Sequence, residues 1–324
     1  MFRIRTDRND SRLKPPQSSP RTSTFLRYLA SCENVILIEQ NQLLRDALRA
    51  SARALDARAH RDEGQLTDLL TLEVDGRIAV MTNNNPEKRN AFTDEMDQRL
   101  WEILAELRDT PGLRAVIWQG EGHSFSSGRD VSALGGGQVD LTHHELMVRG
   151  HRGLQQLSDL DAPVLVAMQG WAIGASFQRA LLCDIRVAAD DARFMLPETA
   201  HGVIPDTGGV ARLYQICGPG VASDMVLTGR VMDAAEALAH GVVSRVVARD
   251  QLGNTVREMA EKIAAAPAVT IKMARRIISH LAEPQTRSSM AEELIAQTFI
   301  NKSDDYAEFR TARAQDRQAR YTGS

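Results

Sequence analysis

Three segments decide the reading of this chain: FSSGRD at 125–130, QGWAIGASFQ at 169–178 and LPETAHGVIPDTGG at 196–209. In the second, the apolar run Val164-Leu165-Val166-Ala167-Met168 has the length of a buried strand, Gly170 punctuates it, and Gly174-Ala175-Ser176 opens an Ala/Leu-rich run of helical length. This is a strand turning tightly into a helix. Small residues at such a turn let a ligand approach the backbone, and the first amides of a helix lack internal partners and carry the positive end of the dipole. An amide there suits a developing oxyanion. Phe125-Ser126-Ser127-Gly128-Arg129-Asp130 follows another apolar strand candidate, Ala115-Val116-Ile117-Trp118, and offers a second amide on a glycine-kinked loop. Two convergent donors form an oxyanion hole, where loss of one typically costs about 100- to 1000-fold in rate.

Outward from these segments the chain is regular. Leu72-Glu73-Val74 and Ile78-Ala79-Val80-Met81, joined by Asp75-Gly76, predict a hairpin, and Thr93 is placed to cap a helix through Met96, Leu100, Ile103, Leu104 and Leu107. Strand and helix signals then alternate, the pattern of an α/β fold, which taken alone suggests a doubly wound parallel sheet. After about residue 252 only helical runs remain, expected at 253–265, 268–282 and 288–299, followed by a polar segment at 303–319. The expected domains are an N-terminal extension at 1–65, a core at 66–252 and a C-terminal helical region at 253–324.

Together with NNNPEKRNAFT (83–93), the run on to DIRVAADDARFMLPE (184–198), and LTGRVMDAAEALAHGVVSRVV (227–247), the segments resemble the crotonase superfamily, the enoyl-CoA hydratase and isomerase family. The resemblance covers roughly residues 68 to 320. It implies a spiral of β-β-α turns in place of a doubly wound sheet, with C-terminal helices that assemble the chain into trimers or hexamers. It places the oxyanion-hole amides on Arg129 and Ala175 and lays the Lys88-Arg89-Asn90-Ala91 loop against the adenosine end of coenzyme A. Ser127, Asp130, Val131 and Gln178 fall at substrate-contacting positions. Coenzyme A enters as part of an acyl-CoA thioester substrate; no separate cofactor is expected.

One carboxylate of the family pattern is missing. Family hydratases use two glutamates; the second matches Glu198, whereas the first falls at Gln178. Syn addition of water needs one group to activate water and another to supply the α-proton. Gln178 can hold a water but cannot take its proton, because a neutral amide has no useful basicity near pH 7. Moving a double bond from C3 to C2 asks less, since one base can remove a proton from C2 and return it at C4. The expectation therefore leans to isomerisation, with one-glutamate hydration as the alternative and an acyl-CoA binding protein without turnover behind both. Asp206 is the second candidate catalytic acid: dienoyl-CoA isomerases and an aryl-CoA dehalogenase carry a working aspartate at the matching site. An aspartate ahead of a helix is also a favoured cap, and capping or a supporting role is the plainer reading of Asp206.

Other residues carry less. His60, His123, His143, His144, His151, His201, His240 and His280 show no metal-ligand spacing, so no metal is expected. Cys32, Cys183 and Cys217 form no CxxC and are expected as reduced thiols, which favours a cytoplasmic location. There is no GxSxG elbow, no GxGxxG opening a helix and no phosphate-binding P-loop motif. With 43% hydrophobic and 25% charged residues and a formal charge of -3, the 324-residue chain predicts a large core and points to neither nucleic acid nor a membrane. Leu146, Met147, Leu154 and Trp171 are candidates for the acyl pocket or the core, and Lys272 for a coenzyme A phosphate or, more plainly, a solvated helix face. Charge is uneven: residues 1–64 hold 12 of the 39 basic and 8 of the 42 acidic residues, leaving 27 against 34 for the rest. Residues 1–24, rich in Arg, Ser and Pro, are expected to be disordered, and Glu39 to Ala59 to form an amphipathic helix.

Overall fold

The computed structural model describes residues 69–130 and 143–324. The expected extension at 1–65, including the 39–59 helix, and Val131 lie outside the described residues. The described residues form one compact unit, so the C-terminal helices belong with the sheets.

The hairpin forms as its sequence predicts: β1 (Leu70–Asp75) pairs antiparallel with β2 (Ile78–Asn83), Asp75 facing Ile78 across the Gly76 turn. All later pairings in the larger sheet are parallel. Its order is β1, β2, β3 (Ala115–Gly120), β4 (Val164–Met168), β6 (Ile185–Ala189), β9 (Arg245–Val247). Strands buried on both faces read as unbroken apolar runs, and the alternation shows why. Val116, Trp118, Val164, Val166 and Met168 enter one core cluster, while Ala115, Ile117, Leu165 and Ala167 enter another with Leu252, Val256 and Ala260 of α6 (Leu252–Ala265).

A second sheet of β5 (Trp171–Ile173), β7 (Arg193–Met195) and β8 (Met232–Asp233) stacks beside the first. Isolated parallel bridges extend the pattern, Phe92 with Arg129 and Ser126 with Ala172. Each turn of chain thus contributes a strand to the large sheet, an extended segment to the stack, and then a helix. The helices are α1 (Asp94–Asp109), α2 (His143–Asp159), α3 (Ala175–Leu182), α4 (Gly209–Thr228) and α5 (Ala234–Ala239). This is the expected spiral of β-β-α turns, and it corrects the doubly wound sheet that alternation alone suggested. Thr93 caps α1 by accepting from the Met96 amide at 3.3 Å.

The C-terminal region departs from expectation in one respect. The runs expected at 268–282 and 288–299 are one helix, α7 (Ala268–Ile300), with Pro284 inside it. Proline removes an amide and crowds the preceding turn. Here the helix continues because tertiary contacts hold both sides of the break: Gln215 donates to the Ala282 carbonyl at 3.0 Å, and Met290 and Thr286 pack on Gly208. The polar segment beyond contains α8 (Asp304–Ala314), capped by Ser303.

Candidate functional site

The 125–130 segment is held from behind by a buried polar chain. Trp118 Nε1 donates to Asn83 Oδ1 at 2.9 Å, and Asn83 Nδ2 donates to the Phe125 carbonyl at 3.1 Å. In front, the 88–91 loop is latched to it: Ser127 donates its amide to Arg89 O at 2.9 Å, Phe92 donates to Gly128 O and Asp130 to Phe92 O, both at 2.8 Å. Lys88 pairs with Asp130 at 3.7 Å. Arg89 and Asn90 take positive φ values of 52° and 56°, strained for residues with a Cβ, and Asn90 meets that cost by donating to Glu121 O and Ser124 O. The expected coenzyme A residues Lys88, Arg89 and Ala91 therefore share one rigid unit with Ser127 and Asp130.

Gly128 brings that unit against the start of α3. Its φ is 88°, and a Cβ there would lie 2.7 Å from the Ile173 carbonyl, so only glycine permits the approach. The residues that follow each contact are Arg129 and Ala175. Ala175 opens α3, so its amide has no acceptor within the helix. Gly174, at φ 55°, faces Glu198: a Cβ on Gly174 would come 3.2 Å from Glu198 Oε1. The two loops and the candidate base thus meet at Gly174.

Glu198 follows Pro197 and opens a short 3-10 turn. Its Oε1 accepts from Gln178 Nε2 at 2.7 Å, while Oε2 is buried without a hydrogen-bond partner. Burial pushes its carboxyl up to about 7, against the Gln178 bond, which lowers it. Gln178 also accepts the Thr207 amide at 3.0 Å, so it ties Glu198 to the segment carrying Asp206. Gly209 allows this approach, since a Cβ there would lie 2.8 Å from the Gln178 Cα.

Asp206 does not cap α4. The N-cap is Gly208, with no side-chain cap bond, which corrects the capping reading: the chain runs two residues further before the helix begins. Burial raises the Asp206 carboxyl to about 6, opposed by His151, Arg129 and Arg179. Arg129, expected only for its amide, also extends a guanidinium that pairs with Asp94, and with Asp97 at 2.5 Å. Asp97 pairs in turn with Arg179 at 2.8 Å, and the Arg179 guanidinium lies over Phe92 at 4.7 Å.

The remaining candidates separate. Leu154 belongs to the core cluster and Met147 is buried, whereas Trp171 in β5 is half-buried. Lys272 pairs with Asp161 at 2.5 Å on the surface. Cys183 and Cys217 are free thiols, and burial pushes them up to about 12 and 11. Among the described residues no helix is long and apolar enough to cross a membrane. Sequence reasoning missed His151, Glu293 and Gln297, which bond the 204–208 loop. The only trace in the sequence is the spacing Ser289, Glu293, Gln297, which a solvated helix face shows equally well.

Three buried carboxyls, Glu198, Asp206 and Glu293, stand at about 7, 6 and 7 against ordinary values of 4.5, 3.8 and 4.5. All are raised, so between about pH 4 and 7 the folded state binds more protons than the unfolded chain, and stability falls as pH rises through that window. The expected result is a melting temperature that drops from pH 5 to pH 8, with a shallower drop in the Glu198→Gln/Asp206→Asn double variant. Parallel slopes in a thermal scan series would remove this account.

The stacked spiral, the paired loops and a buried carboxyl beside a helix-opening amide define an acyl-CoA enzyme class, and the chain belongs to the enoyl-CoA hydratase/isomerase family, whose model matches residues 73–324. Among similar proteins, carnitinyl-CoA dehydratase of Escherichia coli strain K12 is 38% identical over 199 residues, covering 61% of this chain and 75% of that protein. The carnitinyl-CoA dehydratase of Escherichia coli O157:H7 is 36% identical over 225 residues, covering 69% and 85%. An enoyl-CoA hydratase structure from Mycobacterium avium subsp. paratuberculosis K-10 superposes with TM-score 0.70 at 27% identity, over 78% of this chain and 98% of that one. An enoyl-CoA hydratase/isomerase from Pseudoalteromonas atlantica T6c gives 0.71 at 27% identity, over 78% and 100%. The fold is that of the crotonase superfamily.

Proposed function

We propose that this protein shifts the double bond of an enoyl-CoA thioester through one base, Glu198, with the thioester oxygen held by the Arg129 and Ala175 amides. The observation that carries the reading is Glu198 itself: half-buried, its carboxyl enclosed beside Gly174 with Oε2 unpartnered and pushed up to about 7 by burial. A base half ionised near neutrality suits a group that must take a proton and give it back. Bound thioester would accept two amide bonds as charge develops on its oxygen. Glu198 would then remove a proton from C2, and the same carboxyl would return it at C4. On dienoyl-CoA esters, where protons move between carbons further apart, Asp206 would serve as a second proton carrier. Lys88, Arg89 and Ala91 would hold the adenosine end, Ser127 and Asp130 would line the substrate path, and Gln178 would steady Glu198. A pure binder has no chemical use for an acid beside the reacting carbons.

The second reading is one-glutamate hydration or its reverse, favoured by the relatives that are named carnitinyl-CoA dehydratases. Parallel turnover of 3-enoyl-CoA, 2-enoyl-CoA and 3-hydroxyacyl-CoA esters separates the two, and tight binding without any turnover would reinstate the binder.

Assembly into trimers or hexamers of this chain is proposed from α7, where Val269, Met273, Ile277 and Leu281 fall four residues apart on one face and Leu281 is 82% exposed. Analytical ultracentrifugation of Ile277→Asp/Leu281→Asp is expected to show a smaller species than wild type; an unchanged sedimentation coefficient would place the contact elsewhere.

A further inference from the structure

The loop 204–208 carries Asp206 and is held almost wholly by side chains. The Ile204 amide donates to Gln297 Oε1 at 2.9 Å, the Thr207 amide to Gln178 Oε1 at 3.0 Å and the Gly208 amide to Glu293 Oε2 at 2.9 Å. Pro205 has no amide hydrogen, and the Asp206 carbonyl lies 2.6 Å from His151 Nε2. Two of these acceptors, Glu293 and Gln297, stand one turn apart on α7. Both are buried, at 6% and 1% exposure, where a polar side chain needs a specific partner. Each is itself braced: Ser289 Oγ donates to Glu293 Oε1 at 2.9 Å, and Gln297 Nε2 donates to Asn301 Oδ1 at 2.9 Å. Packing fixes the same junction, because a Cβ on Gly208, at φ 79°, would lie 3.1 Å from Met290 Cγ.

We propose that Glu293, seconded by Gln297, is a positioning residue for Asp206, so that α7 sets the geometry of an acid on a loop more than eighty residues earlier in the chain. The inference rests on the reading of Glu198 and Asp206 as proton-handling groups. Glu293 is required here as a hydrogen-bond acceptor for Gly208 and for the Ser289 hydroxyl. Glutamine keeps an acceptor oxygen for Gly208 and places an amide beside the Ser289 oxygen. Alanine keeps neither, and the freed Gly208 amide lets the loop drift.

The test compares Glu293→Ala, Glu293→Gln and the milder Gln297→Ala in full-length protein on a dienoyl-CoA ester, with each alanine change repeated on Asp206→Asn. A misplaced catalytic group costs rate more than binding, so Glu293→Ala is expected to lower kcat by roughly 10- to 100-fold with KM little changed. Gln297→Ala should act the same way but less, and Glu293→Gln should restore kcat. On the Asp206→Asn background Glu293→Ala should add almost nothing, as for residues acting through one group. Unchanged kcat in both alanine variants, failure of glutamine to rescue, or an undiminished effect on Asp206→Asn would overturn the proposal. Should wild type turn over no ester offered, the proton-transfer reading falls by itself. Deuterium uptake by peptides spanning 204–208 then decides: faster exchange in Glu293→Ala, reversed in Glu293→Gln, upholds the clamp, and equal exchange in all three removes it.

Discussion

Replacing Glu198 by alanine is expected to lower turnover of a 3-enoyl-CoA ester by roughly 10²- to 10⁴-fold, the range a positioned acid–base group supplies, while acyl-CoA binding stays near wild type. The loss should not come from unfolding. Glu198 buries a carboxyl whose Oε2 has no hydrogen-bond partner, so folding pays for that group and removing it relieves a cost. A melting temperature near wild type is the expected companion result, because relief of the buried carboxyl offsets the Gln178 Nε2 bond that the substitution gives up. The pH profile gives the sign: a base must be ionised to act, so kcat/KM of wild type should rise with pH through about 7. A Glu198→Ala enzyme that kept more than a tenth of wild-type kcat on every active ester would sink the assignment of Glu198 as base.

The second large effect is a gain. In Gln178→Glu, the new carboxyl still accepts the Thr207 amide but can no longer donate to Glu198 Oε1, now 2.7 Å away, unless it carries a proton. Two carboxyls so close cannot both ionise; they share one proton and titrate in two steps that belong to the pair. One member then activates water while the other supplies the α-proton. Hydration of a 2-enoyl-CoA ester is expected to increase at least about tenfold, a modest share of what general acid–base catalysis provides. Glutamate matches glutamine in size and shape, so the substitution is nearly isosteric and the effect electronic. Hydration at the wild-type rate, with Gln178→Glu folded and binding substrate, would show that the amide at 178 is not what limits water addition.

How far the sequence carried this reading differs by element. Strands were legible where both faces are buried, as in Val164–Met168, because every side chain there answers to the same demand. The hairpin and the Thr93 cap were legible because turn and cap chemistry is local. Glu198 was legible through the family resemblance, which matches it to the second glutamate of the pattern, and the structure brings it to Gly174. What failed needed partners distant in the chain. Pro284 reads locally as a break, and only Gln215 and Gly208, far away, show why the helix runs on. Asp206 reads as a cap until the helix start is located two residues later. Arg129 gave up its amide position to pattern reading but not its side chain, whose partners Asp94 and Asp97 look like solvated helix charges. Glu293 and Gln297 are polar residues at helical spacing, and nothing local separates a buried polar stripe from a wet one.

The bonds from α7 to the 204–208 loop also order events in time. On a growing chain the strands of both sheets and the Glu198 turn are synthesised before residues 293 and 297, although all belong to one compact unit, and a domain folds as a unit. Until then the Ile204 and Gly208 amides lack the acceptors that hold them in the finished fold. The second acid is therefore the part of the site whose placement waits on the last stretch of the chain to be made.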